Sequence, residues 1–267
     1  MVWGSTRPSG LSDVLATATG ARWVQLPWAG VEDFAGLIDD ERLWTCGKGV
    51  YAAPVAEHAL TLALAGLRNV GAYARAGEWT APAGANLIDA RVTILGGGGI
   101  TEWLVRLLAP FEAHVTVVRN RLQPVDGADV VVGPDRLFEV LPGADVIILA
   151  LALTPETEGL IGAPELAMME SHAVLVNVAR GRHVITDELV DALRDGRIGA
   201  AGLDVTDPEP LPAGHPLWAL SNCIVTPHVG NTPEMARPLL ARRVTENVRR
   251  FTAGKALLGP IDPELGY

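Results

Sequence analysis

A short apolar run, Val92-Thr93-Ile94-Leu95, leads straight into four glycines, Gly96-Gly97-Gly98-Gly99, and then into a helical stretch over Glu102–Leu108. Few folds accept a strand that ends in such a turn. Gly96 allows the tight turn, and Gly98 lets the backbone approach a pyrophosphate at a helix N-terminus, where unpaired N–H groups favour an anion. Gly99 and Ile100, between the turn and that helix, are expected to line the same place. The pattern G-x-G-x-x-G departs at its third glycine, where Thr101 stands, which puts close helix–strand packing in question. A second strand, Val115–Val118, then ends in Arg119-Asn120-Arg121. An NAD site usually carries Asp or Glu here, ~20 residues on, to bind the ribose hydroxyls. Two guanidinium groups suit a 2′-phosphate instead, so the reading favours NADP, with NAD as the alternative. The bland alternative is a pair of solvated surface charges.

Further apolar strands follow at Val146–Leu151, Val174–Asn177, Ala201–Asp204 and Cys223–Thr226, with helical stretches such as Asp187–Asp195 between them. Continuous apolar strands alternating with helices indicate a parallel sheet covered on both faces. Residues 54–232 are expected to form this doubly wound α/β dinucleotide domain. Residues 1–53 with 233–267 form a smaller unit: a strand at Val2-Trp3, a helix over Leu11–Thr17, a strand over Trp23–Leu26 and a tail helix from Pro233 to about Gly254. Arg237, Arg242, Arg243, Arg249 and Arg250 are expected on the solvent side of that tail. Pro54 suits the first turn of an Ala/Leu-rich helix that reads as buried nearly all round, as in a subunit interface.

With 49% hydrophobic and 19% charged residues, the 267-residue chain is no disordered polymer, and its net charge of −10 repels nucleic acid and anionic membranes. Cys46 and Cys223 match neither a disulfide framework nor a metal spacing, which favours a reducing compartment. No run reaches the ~20 apolar residues of a bilayer span. The start, Met1-Val2-Trp3-Gly4-Ser5, lacks a signal-peptide pattern. A cytoplasmic protein is the expectation. No G-x-S-x-G and no G-x-x-x-x-G-K-[ST] occurs, which sets aside a hydrolase and a P-loop NTPase.

Three motifs sit near strand ends: Asn177-Val178-Ala179-Arg180-Gly181, Gly202-Leu203-Asp204-Val205-Thr206-Asp207-Pro208-Glu209-Pro210, and Thr226-Pro227-His228-Val229-Gly230. With the glycine turn, their order and spacing resemble the D-isomer-specific 2-hydroxyacid dehydrogenase family, of the glyoxylate/hydroxypyruvate reductase kind, from about Trp23 to about Asn247. The resemblance implies a Rossmann domain beside a flavodoxin-like substrate domain. It implies that Arg180 grips the substrate carboxylate and polarises the 2-oxo group, that His228 is the acid/base, and that Glu209 holds and charges its imidazole. Asp204 is implied at the nicotinamide carboxamide, with Leu151, Thr154, Val178, Arg180, His228 and Gly230 also lining the cofactor. Ala29-Gly30 is implied as a turn whose N–H groups receive the substrate carboxylate. The family further implies a homodimer.

The chemistry asks for these side chains. Hydride arriving at a carbonyl carbon leaves negative charge on oxygen, and a cation and a proton donor aimed there lower the barrier. His58, His114, His172, His183 and His215 are expected to be structural or surface residues. Trp28, Trp44, Trp79 and Trp218 are candidates for a substrate pocket, Trp218 foremost, against the commoner use of tryptophan in cores and interfaces. Ala152 replaces a proline usual in the family's Leu-Pro-Leu-Thr-like loop. Relatives in the family usually begin with more βα elements, so the substrate domain reads as N-terminally shortened by at least ~30 residues, one βαβ unit. The leading expectation is reduction of a small 2-oxo acid to the D-hydroxy acid. The competing one is a catalytically silent dinucleotide-binding interaction protein, which has no need to keep Arg180, Glu209 and His228 together.

Overall fold

The structure, a computed structural model, describes residues 1–5 and 7–262; residues 263–267, the end of the expected smaller unit, lie outside the described residues. The chain divides into two compact units, Ala53–Gly230 and Met1–Ala52 with the chain from Asn231 onward.

In the first part of the smaller unit, β1 (Trp23–Gln25) pairs in parallel with β2 (Leu43–Thr45), and Val2 adds a single parallel bridge to Gln25 where a strand was expected. The helix Leu11–Thr17 buries Leu11 and Leu15 in a core with Val24, Leu26, Phe34 and Trp44. Four of its buried polar side chains bond one another, while Arg42 Nε and the Asn231 amide are buried without a side-chain hydrogen bond. Trp23 Nε1 donates to Thr45 Oγ1 at 2.8 Å, Thr45 Oγ1 donates to Gln25 Oε1 at 2.8 Å, and Asn247 Nδ2 donates to Gln25 Oε1 at 3.1 Å. Asn247 comes from the tail helix Pro233–Thr252. Two of that helix's arginines depart from the expected solvent side. Arg243 is half-buried with its Nη1 3.5 Å from the Cys46 carbonyl, and Arg250 donates to Glu246 Oε1 at 2.8 Å.

The larger unit carries a seven-stranded parallel sheet. Its strands are β3 (Arg91–Leu95), β4 (His114–Val118), β5 (Val130–Val132), β6 (Val146–Leu149), β7 (Val174–Asn177), β8 (Ala200–Leu203) and β9 (Cys223–Val225). Across the sheet they run β5-β4-β3-β6-β7-β8-β9. The period of two along each strand divides its side chains between two cores. Ile147 and Leu149 enter one, while Val146 and Ile148 enter the other with Val92, Ile94, Val174 and Val176. Both faces are covered, so these strands read as unbroken apolar runs. The helix Gly99–Leu108 buries Thr101, Leu104, Val105 and Leu108, the spacing of one helical face.

The Ala/Leu-rich helix spans Ala52–Leu67, so Pro54 lies at its third residue. It is not buried all round: Ala56, Ala59, Leu62, Ala63 and Leu67 pack on the sheet, Leu60 and Leu64 are half-buried, and Glu57 and Thr61 face solvent. Strand order reverses between β3 and β6, and in such sheets ligands bind beyond the carboxyl ends of the strands at the reversal. The expected site residues of this unit follow β3, β4, β6, β7, β8 or β9.

Candidate active site

Gly96 turns the chain at the end of β3 with φ +119°, and a Cβ there would lie 2.1 Å from the Ala150 carbonyl oxygen. Only glycine suits both conditions. Thr101, in the place of the third glycine, is fully buried, and its Oγ1 donates to the Gly96 carbonyl at 2.9 Å. The expected packing conflict does not arise, because a hydroxyl on the first turn of the helix fastens the glycine turn instead. No side chain caps the helix N-terminus at Gly98, and a Cβ on Gly98 would meet nothing within 4 Å. The first-turn N–H groups thus carry no side-chain cap and Gly98 leaves room for close approach, which fits a pyrophosphate. Arg119 lies across this turn: a Cβ on Gly97 would come 2.5 Å from its Nε. Asn120 and Arg121 follow it, exposed.

Leu151 and Thr154 occupy the loop after β6, half-buried, and Thr154 N donates to Thr157 Oγ1 at 2.8 Å. His183, fully buried, sets its ring between the Thr157 carbonyl at 2.9 Å and the Leu151 carbonyl at 3.4 Å, and burial lowers its pKa. It is structural, as expected, and it shapes this loop.

Val178 and Arg180 follow β7. Asn177 positions that turn by accepting from Ala179 N at 3.0 Å and donating to the Arg180 carbonyl at 2.8 Å. Arg180 Nη1 also donates to the Ala179 carbonyl at 2.8 Å. The turn packs hard against the loop after β8, since a Cβ on Gly181 would lie 2.0 Å from the Thr206 carbonyl. Glu209 lies in that loop and His228 follows β9. The two meet: His228 Nδ1 donates to Glu209 Oε1 at 2.7 Å, with both side chains about half exposed. That bond fixes the proton on Nδ1 and turns Nε2 outward. His228 holds φ +54°, a left-handed conformation costly for a residue with a Cβ, and its N–H donates to the Asp204 carbonyl at 2.8 Å.

Asp204, 3% exposed, organises the loop around it. Its Oδ1 accepts from Thr226 Oγ1 at 2.6 Å and Val229 N at 2.9 Å, and its Oδ2 accepts from Gly230 N at 2.8 Å. His58 Nε2 stands 3.3 Å from Oδ1. Burial alone raises the carboxyl pKa, but the hydrogen bonds from His58, Thr226, Val229 and Gly230 outweigh it and hold the pKa at about 2, from an ordinary 3.8. A carboxylate whose folded pKa is depressed stabilises the protein above its unfolded pKa and loses that contribution as pH falls through the folded value. Asp204 is therefore expected to contribute about 2 kcal/mol above pH ~4, vanishing toward pH ~2. Denaturant titrations of the wild type and Asp204→Asn, at neutral pH and at several acid pH values, check this. A stability gap that stays constant with pH would contradict it.

Of the other histidines, His172 pairs with Asp145 at 2.8 Å on the surface, His114 is exposed and His215 Nδ1 accepts from Leu217 N at 3.3 Å. His58 is different, because its ring reaches the Asp204 and Thr226 side chains at the base of the His228 loop. The sequence signal for it was lost in an alanine-rich helix. Trp44 is buried in the core of the smaller unit, Trp28 packs on Tyr51 with ring centroids 5.4 Å apart, and Trp79 is fully exposed. Trp218 is 44% exposed and donates to the Pro212 carbonyl at 3.0 Å. Ala29 and Gly30 lie in the smaller unit, between β1 and the 3₁₀ turn Glu32–Leu37, with Ala29 exposed.

A doubly wound sheet with a glycine turn at its reversal, and an arginine and a histidine–carboxylate pair beyond its strand ends, is the framework of a nicotinamide-dinucleotide oxidoreductase. The NAD-binding domain of the D-isomer specific 2-hydroxyacid dehydrogenases matches residues 58–230, and the chain belongs to that family. The family's enzymes move a hydride between a nicotinamide cofactor and a 2-hydroxy acid. The chain is 40% identical to an uncharacterized protein of Corynebacterium melassecola, over 92% of this chain and 84% of that one. It is 35% identical to human glyoxylate reductase/hydroxypyruvate reductase, over 65% of this chain and 53% of that one. The matched stretch thus spans about half the length of the human relative. A Xanthobacter autotrophicus Py2 D-isomer specific 2-hydroxyacid dehydrogenase, solved with NADPH and MES, superposes with TM-score 0.85 at 31% identity, covering 98% of this chain and 84% of that one.

Proposed function

We propose that the protein reduces a small 2-oxo acid, of the glyoxylate or hydroxypyruvate kind, to its D-hydroxy acid with NADPH. The observation that carries this reading is the His228–Glu209 pair, 2.7 Å apart, on the same sheet edge as Arg180 and the glycine turn. The bound cofactor supplies the hydride. Arg180 grips the substrate carboxylate and draws charge toward the carbonyl oxygen. His228 delivers its proton from Nε2 to the oxygen as negative charge develops there. Glu209, accepting from Nδ1, keeps the ring oriented with Nε2 free for the substrate oxygen. In the oxidative direction the same nitrogen takes the hydroxyl proton back.

The preference for NADPH rests on Arg119, whose guanidinium lies over Gly97, and on a β4 that ends without a carboxylate. The Xanthobacter protein, solved with NADPH, supports it. Arg119→Ser is expected to lower kcat/KM for NADPH on the order of 10-fold or more, the worth of one charge-assisted pair, and to leave NADH nearly unaffected. An equal loss with both cofactors would assign Arg119 to the turn's packing instead. A cytoplasmic homodimer completes the proposal. In its support, Cys46 and Cys223 are both buried and unpaired, no helix among the described residues is long and apolar enough to cross a membrane, and Leu60 and Leu64 are left half-buried on their helix.

A further inference from the structure

We propose that His58 is a positioning residue for the reaction, holding the loop that presents His228; the inference rests on the reading of His228 as the proton donor. His58 stands on the helix Ala52–Leu67, far from the other site residues in sequence, and its Nε2 lies 2.9 Å from Thr226 Oγ1 and 3.3 Å from Asp204 Oδ1. The Thr226 hydroxyl has one hydrogen, given to Asp204 Oδ1 at 2.6 Å. Its oxygen must therefore accept from His58, which fixes the His58 proton on Nε2. The same N–H faces the Asp204 carboxylate, so one ring joins two side chains from the ends of β8 and β9.

What these two side chains hold is the backbone around the acid/base. The Asp204 carboxylate receives the N–H groups of Val229 and Gly230, and the Asp204 carbonyl receives that of His228. Four groups, the Thr226 hydroxyl and the His228, Val229 and Gly230 amides, are wrapped on one aspartate, and His228 is kept in its left-handed conformation among them. The His58 ring also packs beside Gly230, where a Cβ would lie 3.7 Å from its Cδ2. Gly230 is the last residue of this unit, and the helix carrying His58 is the element with which the unit begins. His58 thus fastens the exit of the His228 loop to the first helix. Without it the Thr226 hydroxyl loses its donor, the buried carboxylate loses its one side-chain N–H, and the loop is free to relax its strained residue and swing the imidazole off Glu209.

The test uses His58→Leu, which keeps bulk without a donor, and His58→Gln, whose amide nitrogen reaches nearly as far as Nε2. His58→Asn, polar but too short, stands in for the leucine variant if that one melts below the assay temperature. The donor-less variants are expected to lose kcat on the order of 10- to 100-fold, as a small misplacement of a reacting group does. Their Kd for NADPH, read by fluorescence quenching, should stay within a few-fold of wild type, and the glutamine variant should recover most of kcat. A second readout is independent of turnover: long-range 15N–1H correlations of the imidazoles report which nitrogen of His228 carries the proton. Wild type and His58→Gln should show His228 protonated on Nδ1 with Nε2 bare in the neutral form, and the donor-less variants a mixture. Unchanged kcat and an unchanged His228 tautomer in a folded donor-less variant would overturn the proposal. So would a glutamine variant as impaired as the leucine one. If the wild type turned over no 2-oxo acid, the proposed reaction would fail, while the tautomer measurement would still decide whether His58 governs the ring of His228.

Discussion

His228→Ala is expected to lower kcat on the order of 10²- to 10⁴-fold, the usual worth of a positioned acid or base. The Kd for NADPH should barely change, because the dinucleotide is held by the glycine turn and the Arg119 segment at other strand ends. Removing the ring leaves the carbonyl oxygen without a proton donor and leaves Glu209 facing only solvent, which a half-exposed carboxylate tolerates. Arg180→Ala should fail in a different manner. It removes the grip on the substrate, so KM rises as kcat falls, and kcat/KM drops further than it does with His228→Ala. Steady-state kinetics with fluorescence titration of NADPH separate the two patterns. Undiminished turnover in either variant would remove the role assigned to that residue.

Gly96→Ala is the second large effect, and it acts on cofactor binding. A methyl group at this position collides with the Ala150 carbonyl, 2.1 Å away, and must also adopt φ +119°. Neither neighbour can yield cheaply, since Ala150 continues β6 and Gly96 N donates to the Val118 carbonyl at 2.8 Å. The combined strain is on the order of 3 kcal/mol. The turn is expected to shift, dragging Thr101 from the Gly96 carbonyl and misaligning the N–H groups at the helix start. The expected outcome is a lower melting temperature and loss of measurable NADPH binding. A variant that bound NADPH like the wild type would show that the turn does not form the phosphate cradle.

The sequence made the sheet legible wherever a strand was long and buried on both faces. Val92–Leu95, Val146–Leu149 and Val174–Asn177 are such strands, because every residue in them but Thr93 and Asn177 is apolar and packs in one of the two cores. It hid two of the short ones. Val130-Val131-Val132 is three residues between Asp129 and Gly133, and Leu43–Thr45 is three residues bounded by charged and turn residues; each is a strand only because a neighbour pairs with it. In the site, the residues proposed to carry chemistry stand in compact motifs at strand ends, and it is their joint order along the chain that marks them. His58 carries no such mark, since its partner Thr226 lies 168 residues further on and nothing local distinguishes a histidine in an alanine-rich helix. Thr101 posed the opposite difficulty: its departure from the glycine pattern is visible, but that its hydroxyl closes back on Gly96 depends on the path of the turn.

The reaction proposed for this chain passes a hydride from NADPH to a small 2-oxo acid. Its most direct test is the loss of nicotinamide absorbance when glyoxylate or hydroxypyruvate is added to purified protein with NADPH, and in parallel with NADH. Oxidation with both substrates, faster with NADPH, is the predicted result. Faster oxidation with NADH would keep the reaction and refute the role of Arg119. Tight NADPH binding with no oxidation by any 2-oxo acid would contradict the claim and make this a dinucleotide-binding protein without turnover.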